Sequence, residues 1–251
     1  MVRVIDLTIE NLKISYDKYD LSIVIPVYNE SENIERVLSD WDNELTKFEI
    51  KYCFIIVNDG SKDNSVEIIR SLNYDIILLK KHNSGHGRSI RLGYDFSVNH
   101  VKSNYILQID SDGQCEPKYF KFFWENRFEN DFVLGIRKNR GDGFFRKLTS
   151  KTSLYLTSTL TSLNLKDPNT PYRLFKYPTL KNVLPLINES FDIHNIAITY
   201  VILNNKYKFK TVEISFPDRI GGENSINLVR VFQMGFNMLF DLYFLRKKLS
   251  K

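Results

Sequence analysis

Five short apolar runs, separated by polar or glycine-bearing turns and by amphipathic stretches, constrain this chain more than any other feature. They occupy residues 21–27, 52–57, 76–79, 105–109 and 132–135. Each is short, rich in β-branched or aromatic residues, and apolar on both alternating sides. That is the pattern of a strand covered on both faces. Between the first two, Ser31 and Glu32 open a stretch carrying Ile34, Val37, Leu38 and Trp41 at helical spacing. Residues 63–72 and 87–98 read as two further helices. Strands alternating with helices predict βαβ units, hence an α/β fold with a mostly parallel sheet flanked by helices on both faces.

With 251 residues, 43% hydrophobic and 14% aromatic, the chain has enough apolar surface for a sizeable core. The polar residues 1–20 read as an N-terminal extension, and residues 21–225 as the body. After residue 140 the rhythm changes. Leu148, Leu154, Tyr155, Leu160 and Leu163 suggest a helix, and residues 167–175 read as turns. Residues 191–204 read as a helix, 207–216 as a strand, and 225 to about 249 as a long helix. Residues 226–251 form an amphipathic C-terminal segment suited to a membrane surface, a dimer contact or the protein's own core. Cys53 and Cys115 have no metal-ligand spacing and read as reduced packing residues, which suits the cytoplasm. The N-terminus lacks the apolar core of a signal peptide, and no run is long and apolar enough to span a bilayer. The net charge of +5 favours anionic partners. Its basic residues are scattered, without the basic-aromatic platform of a nucleic-acid binder.

Ligands of parallel α/β sheets bind beyond the carboxyl ends of the strands. Four segments fall there: residues 26–30, 58–63, 82–87 and 110–112. The last carries the sharpest chemistry. Asp110 and Asp112, two residues apart at a strand end, repel each other unless a cation lies between them. Hard divalent ions such as Mg2+ or Mn2+ take such oxygen ligands and share their shell with phosphate. Gln114 can add an oxygen. The competing reading is an Asx-type turn before a helix. Asp59 is placed to accept a hydrogen bond from a base N–H, whereas Ser61 and Asp63 read as helix caps. Asn83 and Gly85 belong to a loop whose glycines allow close backbone approach to an anion at a helix start. Arg137, Arg146 and Arg219 could each grip a phosphate or simply face solvent.

The segments 23–30, 56–61, 83–85 and 110–112 together resemble a family 2 glycosyltransferase of GT-A fold, a Rossmann-like nucleotide-binding architecture, here with a C-terminal acceptor-side helix and strand extension. Residues 110–114, 167–175 and 213–225 resemble the dolichyl- or polyprenyl-phosphate sugar synthase branch. The resemblance implies that Pro26, Tyr28, Glu30 and Asp59 surround the nucleoside, with Asn83, Gly85, Asp110 and Ser111 completing the nucleotide contacts. It implies that Asp110, Asp112 and Gln114 hold Mg2+ or Mn2+ on the donor diphosphate, and that Arg137, Arg146 and Arg219 face donor or acceptor phosphates. Asn58 departs from the usual first Asp, and Thr170-Pro171-Tyr172 from the usual segment before the arginine. No acidic residue aligns with a general base; Asp192 and His194 lie nearby in order only.

The implied reaction is inverting, metal-dependent transfer of a sugar from a UDP- or GDP-linked donor. A hydroxyl acceptor needs a base; a phosphate acceptor is already anionic and needs arginines instead, which favours a polyprenyl or dolichyl phosphate. The alternatives are a hydroxyl of a cell-surface glycan or lipid-linked saccharide, and a catalytically degenerate nucleotide-sugar-binding partner protein. A sugar nucleotidyltransferase would need a Gly-rich basic loop after the first strand, which residues 26–30 do not supply. The expected setting is cytoplasmic, with peripheral association at the cytoplasmic membrane face and a homodimer as further options.

Overall fold

The computed structural model describes residues 2–6, 19–140, 167–217 and 228–250. Its strands are β1 (Val2–Asp6), β2 (Leu21–Val27), β3 (Tyr52–Asn58), β4 (Ile76–Lys80), β5 (Tyr105–Gln108), β6 (Phe132–Arg140), β7 (Arg173–Lys176) and β8 (Phe209–Phe216). The helices are α1 (Ile34–Leu45), α2 (Ser65–Ser71), α3 (His86–Phe96), α4 (Phe120–Asn126), α5 (Tyr177–Val183), α6 (His194–Asn204) and α7 (Leu228–Leu249). One sheet contains all eight strands in the order β1-β4-β3-β2-β5-β7-β6-β8. Every pairing is parallel except those of β7, which runs antiparallel between β5 and β6.

That order places the site. From β2 the chain steps outward through β3 to β4, then returns to lay β5 on the other side of β2. The connections therefore diverge at the β2–β5 boundary, which opens a crevice at the carboxyl ends of these two strands. The strands beneath it are buried on both faces, as their uninterrupted apolar runs require. Along β3, Cys53, Ile55 and Val57 pack with Tyr94, Ala197, Met238 and Leu242. Phe54 and Ile56 point the other way, packing with Val37, Leu38, Trp41 and Phe120. This period-two alternation sends α1, α2 and α4 to one face and α3, α5, α6 and α7 to the other. Both cysteines are buried and free, as expected.

Two strands were absent from the sequence reading. The start of the supposed extension, Val2–Asp6, pairs with β4 as an edge strand. The stretch read as turns ends in β7, which pairs with β5 from Tyr105↔Lys176 to Gln108↔Arg173. Pro168 and Pro171 gave a turn signal that hid a strand of four residues. The expected helix around Leu148–Leu163 lies outside the described residues.

A buried histidine on the α3–α7 side has a consequence for acid stability. His194 is 1% exposed, and neither ring nitrogen reaches full hydrogen-bonding geometry, although the Phe191 and Asn188 backbones lie near enough to oppose the effect of burial. Burial first, and then the positive charges of Arg91 and Arg88, push its pKa down to about 3. The unfolded chain takes up this proton near pH 6.5, whereas the fold resists it, so stability is complete above that pH and falls below it. The expected loss is about 3 kcal/mol by about pH 4. Acid titrations followed by circular dichroism should show His194→Phe with a shallower acid limb than the parent. Coincident profiles would contradict the assignment.

Candidate active site

The crevice is built by loops that bond to one another more than to the helices they precede. Asn29 adopts a left-handed conformation with φ of 54°. Its backbone N–H donates to Ser61 Oγ at 3.0 Å, and its side-chain oxygen accepts from the Lys62 N–H at 2.8 Å. Glu30 is buried; its N–H donates to Ser65 Oγ at 2.8 Å, and its carboxylate accepts from Asn33 at 3.0 Å. Asp63 accepts from the Ser65 N–H and hydroxyl at 3.1 and 2.6 Å, and from the Ser31 N–H at 2.9 Å. Burial alone would raise its pKa, but these bonds outweigh it and hold the carboxyl below its usual value. Asp63 therefore bonds the first N–H of α2 from just outside the helix, whose cap residue is Asn64, and ties the β2–α1 loop to the β3–α2 loop; Ser61, also expected to cap, bonds Asn29 instead. Pro26 is an interior β2 residue paired with Val57. Tyr28, just past the strand, is 38% exposed and presents its ring at the rim.

Asp59 is 4% exposed and organises the next loop. It pairs with Lys81, and the N–H groups of Ser84 and Gly85 donate to its two oxygens at 2.8 and 2.9 Å. Gly85 makes this possible with φ of 101°, a region most side chains avoid. Lys81 also donates to Ser84 Oγ at 2.6 Å. The residue expected to grip a base thus shapes the 83–85 loop, leading into α3. Sequence reasoning missed Lys81. The signal was register: β3 and β4 pair Asn58 with Lys80, so the next residues, Asp59 and Lys81, emerge side by side.

Directly after this loop, Gly87 lets another segment close on α3. A Cβ there would lie 1.9 Å from the Asp192 carbonyl oxygen. The 188–194 stretch therefore rests on the first turn of α3, with the Asp192 carboxylate 4.0 Å from Arg88.

Across the crevice, β5 delivers Asp110, Ser111 and Asp112. One Asp110 carboxylate oxygen, Oδ1, is buried without a hydrogen-bond partner, and the His86 Nε2 stands 3.5 Å from it. Asp112 accepts from the Gln114 N–H at 3.0 Å, so the competing turn reading also holds. Gln114 donates its side-chain nitrogen to the Pro217 carbonyl at 2.6 Å, leaving its oxygen end as an acceptor. The loop is fixed from behind by Trp41, whose indole N–H donates to the Cys115 carbonyl at 3.2 Å while its ring packs edge-on against Phe120 and Tyr172. Burial first, and then the Asp110 charge, raise the Cys115 pKa well above the ordinary value, so the thiol is inert. His86 and Trp41 are partners of the acidic loop that only tertiary packing reveals.

The donor set fits a hard divalent cation: two carboxylates and an amide oxygen on one short loop, one carboxylate oxygen buried without a hydrogen bond. Among the described residues no group of three or more His, Cys, Asp or Glu side chains is arranged to hold a metal by itself. A Mg2+ or Mn2+ ion here would complete its shell with water and a ligand's phosphate oxygens.

Of the three arginines expected near phosphates, only Arg137 is described; Arg146 and Arg219 lie outside the described residues. Arg137 forms a bidentate pair with Asp167 at 2.7 and 2.6 Å, and its backbone N–H donates to the same carboxylate at 3.1 Å. The guanidinium lies 5.1 Å from the Phe216 ring centre. This arginine braces the turn at residue 167 rather than presenting its whole fork to a ligand.

Comparison with known proteins agrees with this architecture. The family model for glycosyl transferase family 2 matches residues 22–198. The undecaprenyl-phosphate 4-deoxy-4-formamido-L-arabinose transferase of Edwardsiella ictaluri is 26% identical over 230 residues, covering 88% of this chain and 66% of the relative. The enzyme of the same name from Proteus mirabilis is 25% identical over 227 residues, covering 87% and 66%. The chain thus spans just under two thirds of the length of these relatives. Among solved structures, glucosyl-3-phosphoglycerate synthase from Mycobacterium tuberculosis in complex with UDP superposes with a TM-score of 0.59 at 14% identity, covering 91% of this chain and 80% of that one. The same enzyme with Mn2+, UDP-glucose and phosphoglyceric acid gives 0.60 at 13% identity, over the same shares. The fold is therefore the GT-A architecture, and with the family model spanning well over half of its length, this chain belongs to glycosyl transferase family 2.

Proposed function

We propose that the protein transfers a sugar, with inversion, from a nucleoside-diphosphate sugar to a polyprenyl phosphate, with Mg2+ or Mn2+ bound at Asp110, Asp112 and Gln114. The observation that carries this reading is the buried carboxylate oxygen of Asp110, without a hydrogen-bond donor, at the β2–β5 switch point. A carboxylate oxygen that no donor satisfies is a ready ligand for a cation that also grips a diphosphate. The relatives named as undecaprenyl-phosphate transferases support the acceptor class. The fold neighbour solved with Mn2+ and UDP-glucose supports the donor class.

In this reading the Tyr28 ring at the rim and the Asp59-organised loop 83–85 form the nucleoside side of the crevice, with Pro26 and Glu30 shaping its floor. The α3 amino terminus and Ser111 face the phosphates. When bound, the cation supplies Lewis-acid stabilisation of the negative charge that grows on the leaving diphosphate. Asp110 and Asp112 orient that diphosphate, and Trp41 keeps their loop in place. Arg137, through Asp167, sets the position of the 167–171 turn on the acceptor side, and we assign Arg146 and Arg219 to phosphate contact. An incoming lipid phosphate already carries the nucleophilic oxygen as an anion, so no protein group need take its proton. A hydroxyl acceptor would need one, and Asp192, whose carbonyl rests on α3, is the carboxylate then to consider.

The test is transfer of label from radioactive UDP- and GDP-sugars, with undecaprenyl phosphate or saccharides as acceptor. Label that becomes butanol-soluble only with lipid phosphate and divalent metal is the expected result. Label reaching saccharides alone, or reaching no acceptor, would overturn the acceptor assignment.

A further inference from the structure

We infer that the outward face of α7 is a docking surface for an anionic lipid bilayer, on which the helix lies without crossing. This inference rests on α7 itself and deepens the lipid-acceptor reading by supplying the surface from which such an acceptor would be drawn.

The helix has two opposed apolar faces. Met238, Leu242 and Leu245 are buried in the core beside α6. On the opposite side, Phe236, Phe240, Tyr243 and Phe244 are 63%, 52%, 53% and 62% exposed. Their spacing of four, three and one places them along one stripe. Within it the Phe236 and Phe240 ring centres lie 4.9 Å apart, and those of Tyr243 and Phe244 5.6 Å apart. Single exposed apolar residues are ordinary; four large rings contiguous on one helix face mark an interaction surface.

Charge identifies the occupant. The last turn carries Arg246, Lys247 and Lys248, all exposed. Lys247 follows Tyr243 by four residues and Phe244 by three, so it continues the aromatic stripe. Arg246 and Lys248 flank it, with Lys248 also donating to the Leu186 carbonyl at 3.0 Å. Aromatic rings in line with basic heads on long aliphatic stems suit a bilayer, where hydrocarbon underlies a layer of lipid phosphates. The acidic residue of this stretch, Asp241, is only partly exposed, and its helical position lies to one side of the stripe. Among the described residues no helix is long and apolar enough to cross a membrane, so contact at the surface is the mode this helix allows.

The test uses the full chain in vesicle co-sedimentation. The vesicles are pure phosphatidylcholine, or the same lipid with a third of it replaced by phosphatidylglycerol. Binding should favour the anionic vesicles and weaken in high salt. It should fall by more than about tenfold in Phe236→Ser/Phe240→Ser/Phe244→Ser, and by about fivefold for each charge removed in Arg246→Gln/Lys247→Gln. Circular dichroism checks that each variant is folded. Phe240→Trp gives a second readout: its emission should shift to the blue only with anionic vesicles. Absence of binding to either vesicle would overturn the inference. So would binding unchanged by loss of the rings, or a concentration-dependent dimer, by light scattering, that these substitutions dissolve. Nucleotide binding at the β2–β5 crevice is measured separately without lipid, so failure of one proposal is distinguishable from failure of the other.

Discussion

Asp110→Asn is expected to yield a folded protein whose transfer rate is lower by about 10²–10³-fold or more, the usual consequence of deleting a preorganised electrostatic contact to a developing charge. The same substitution should leave the melting temperature of the ligand-free protein unchanged or slightly higher. Asp110 Oδ1 is buried and lacks a hydrogen bond, and His86 is 3.5 Å away rather than in bonding contact. Replacing this carboxylate by an amide of the same shape therefore breaks no hydrogen bond to Oδ1, so little of the fold's stability rests on it. Opposite signs for stability and activity would distinguish a ligand-directed residue from a structural one. Steady-state rates together with thermal melts of parent and variant measure both. A variant that is destabilised by several degrees, or that retains its rate, would contradict the role assigned to this carboxylate.

The second large effect lies behind the site. Arg173, the first residue of β7, is completely buried. It donates to the carbonyls of Thr170, Pro168 and Asn195 at 2.8, 2.7 and 2.9 Å, and to Thr199 Oγ1 at 3.3 Å. Burial lowers its pKa to about 10, and the Tyr94, Asp167 and Asp110 groups act against that fall. It remains a cation at neutral pH. One planar fork thus holds the 167–170 turn against α6, and the same turn carries Asp167, the partner of Arg137. Removing a buried charge can be harmless when apolar groups fill the space. Here the Thr170 carbonyl would lose its guanidinium donor, and the Pro168 and Asn195 carbonyls would share the one hydroxyl proton of Thr199; each group left unsatisfied costs about 1–3 kcal/mol. Arg173→Met should therefore destabilise the protein by about 3–5 kcal/mol. That corresponds to a fall in melting temperature of about 6–20 °C for a domain of this size. Arg173→Lys should recover little, because a point ammonium cannot span the same acceptors. A melt of Arg173→Met within a degree or two of the parent would show that the turn is held otherwise.

The parts legible in the sequence were those set by local pattern. The runs that became β2 to β5 kept their boundaries to within a residue, because doubly covered strands must be apolar throughout. β6 extends past the expected end to Arg140, where parallel pairing of Ile136, Arg137 and Arg140 with β8 stabilises residues whose charges read as loop. β7 was hidden for a related reason: its first residue is an arginine, and a charged side chain reads as exposed until four acceptors are found around it. β1 was hidden by its brevity and its polar surroundings. At the site, the strand-end rule located Asp59, Asp110 and Asp112 on one edge. It could not show that Asp59 is bound by Lys81 and the 84–85 backbone. Nor could it show that Arg137 closes on Asp167, since both depend on how strands 20 or more residues apart come into register.

The central claim, that the acidic loop after β5 binds a nucleoside diphosphate through a divalent cation, is tested most directly by thermal unfolding with UDP or GDP in the presence and absence of Mn2+. A ligand that binds only the native state at about a hundred times its dissociation constant adds about 2.7 kcal/mol. For a domain of this size that is about 5–10 °C. The account predicts a rise of that order with one of the two nucleotides plus Mn2+, far smaller with either component alone, and absent in Asp112→Ala. No rise with either nucleotide, or an equal rise without metal and in Asp112→Ala, would contradict it.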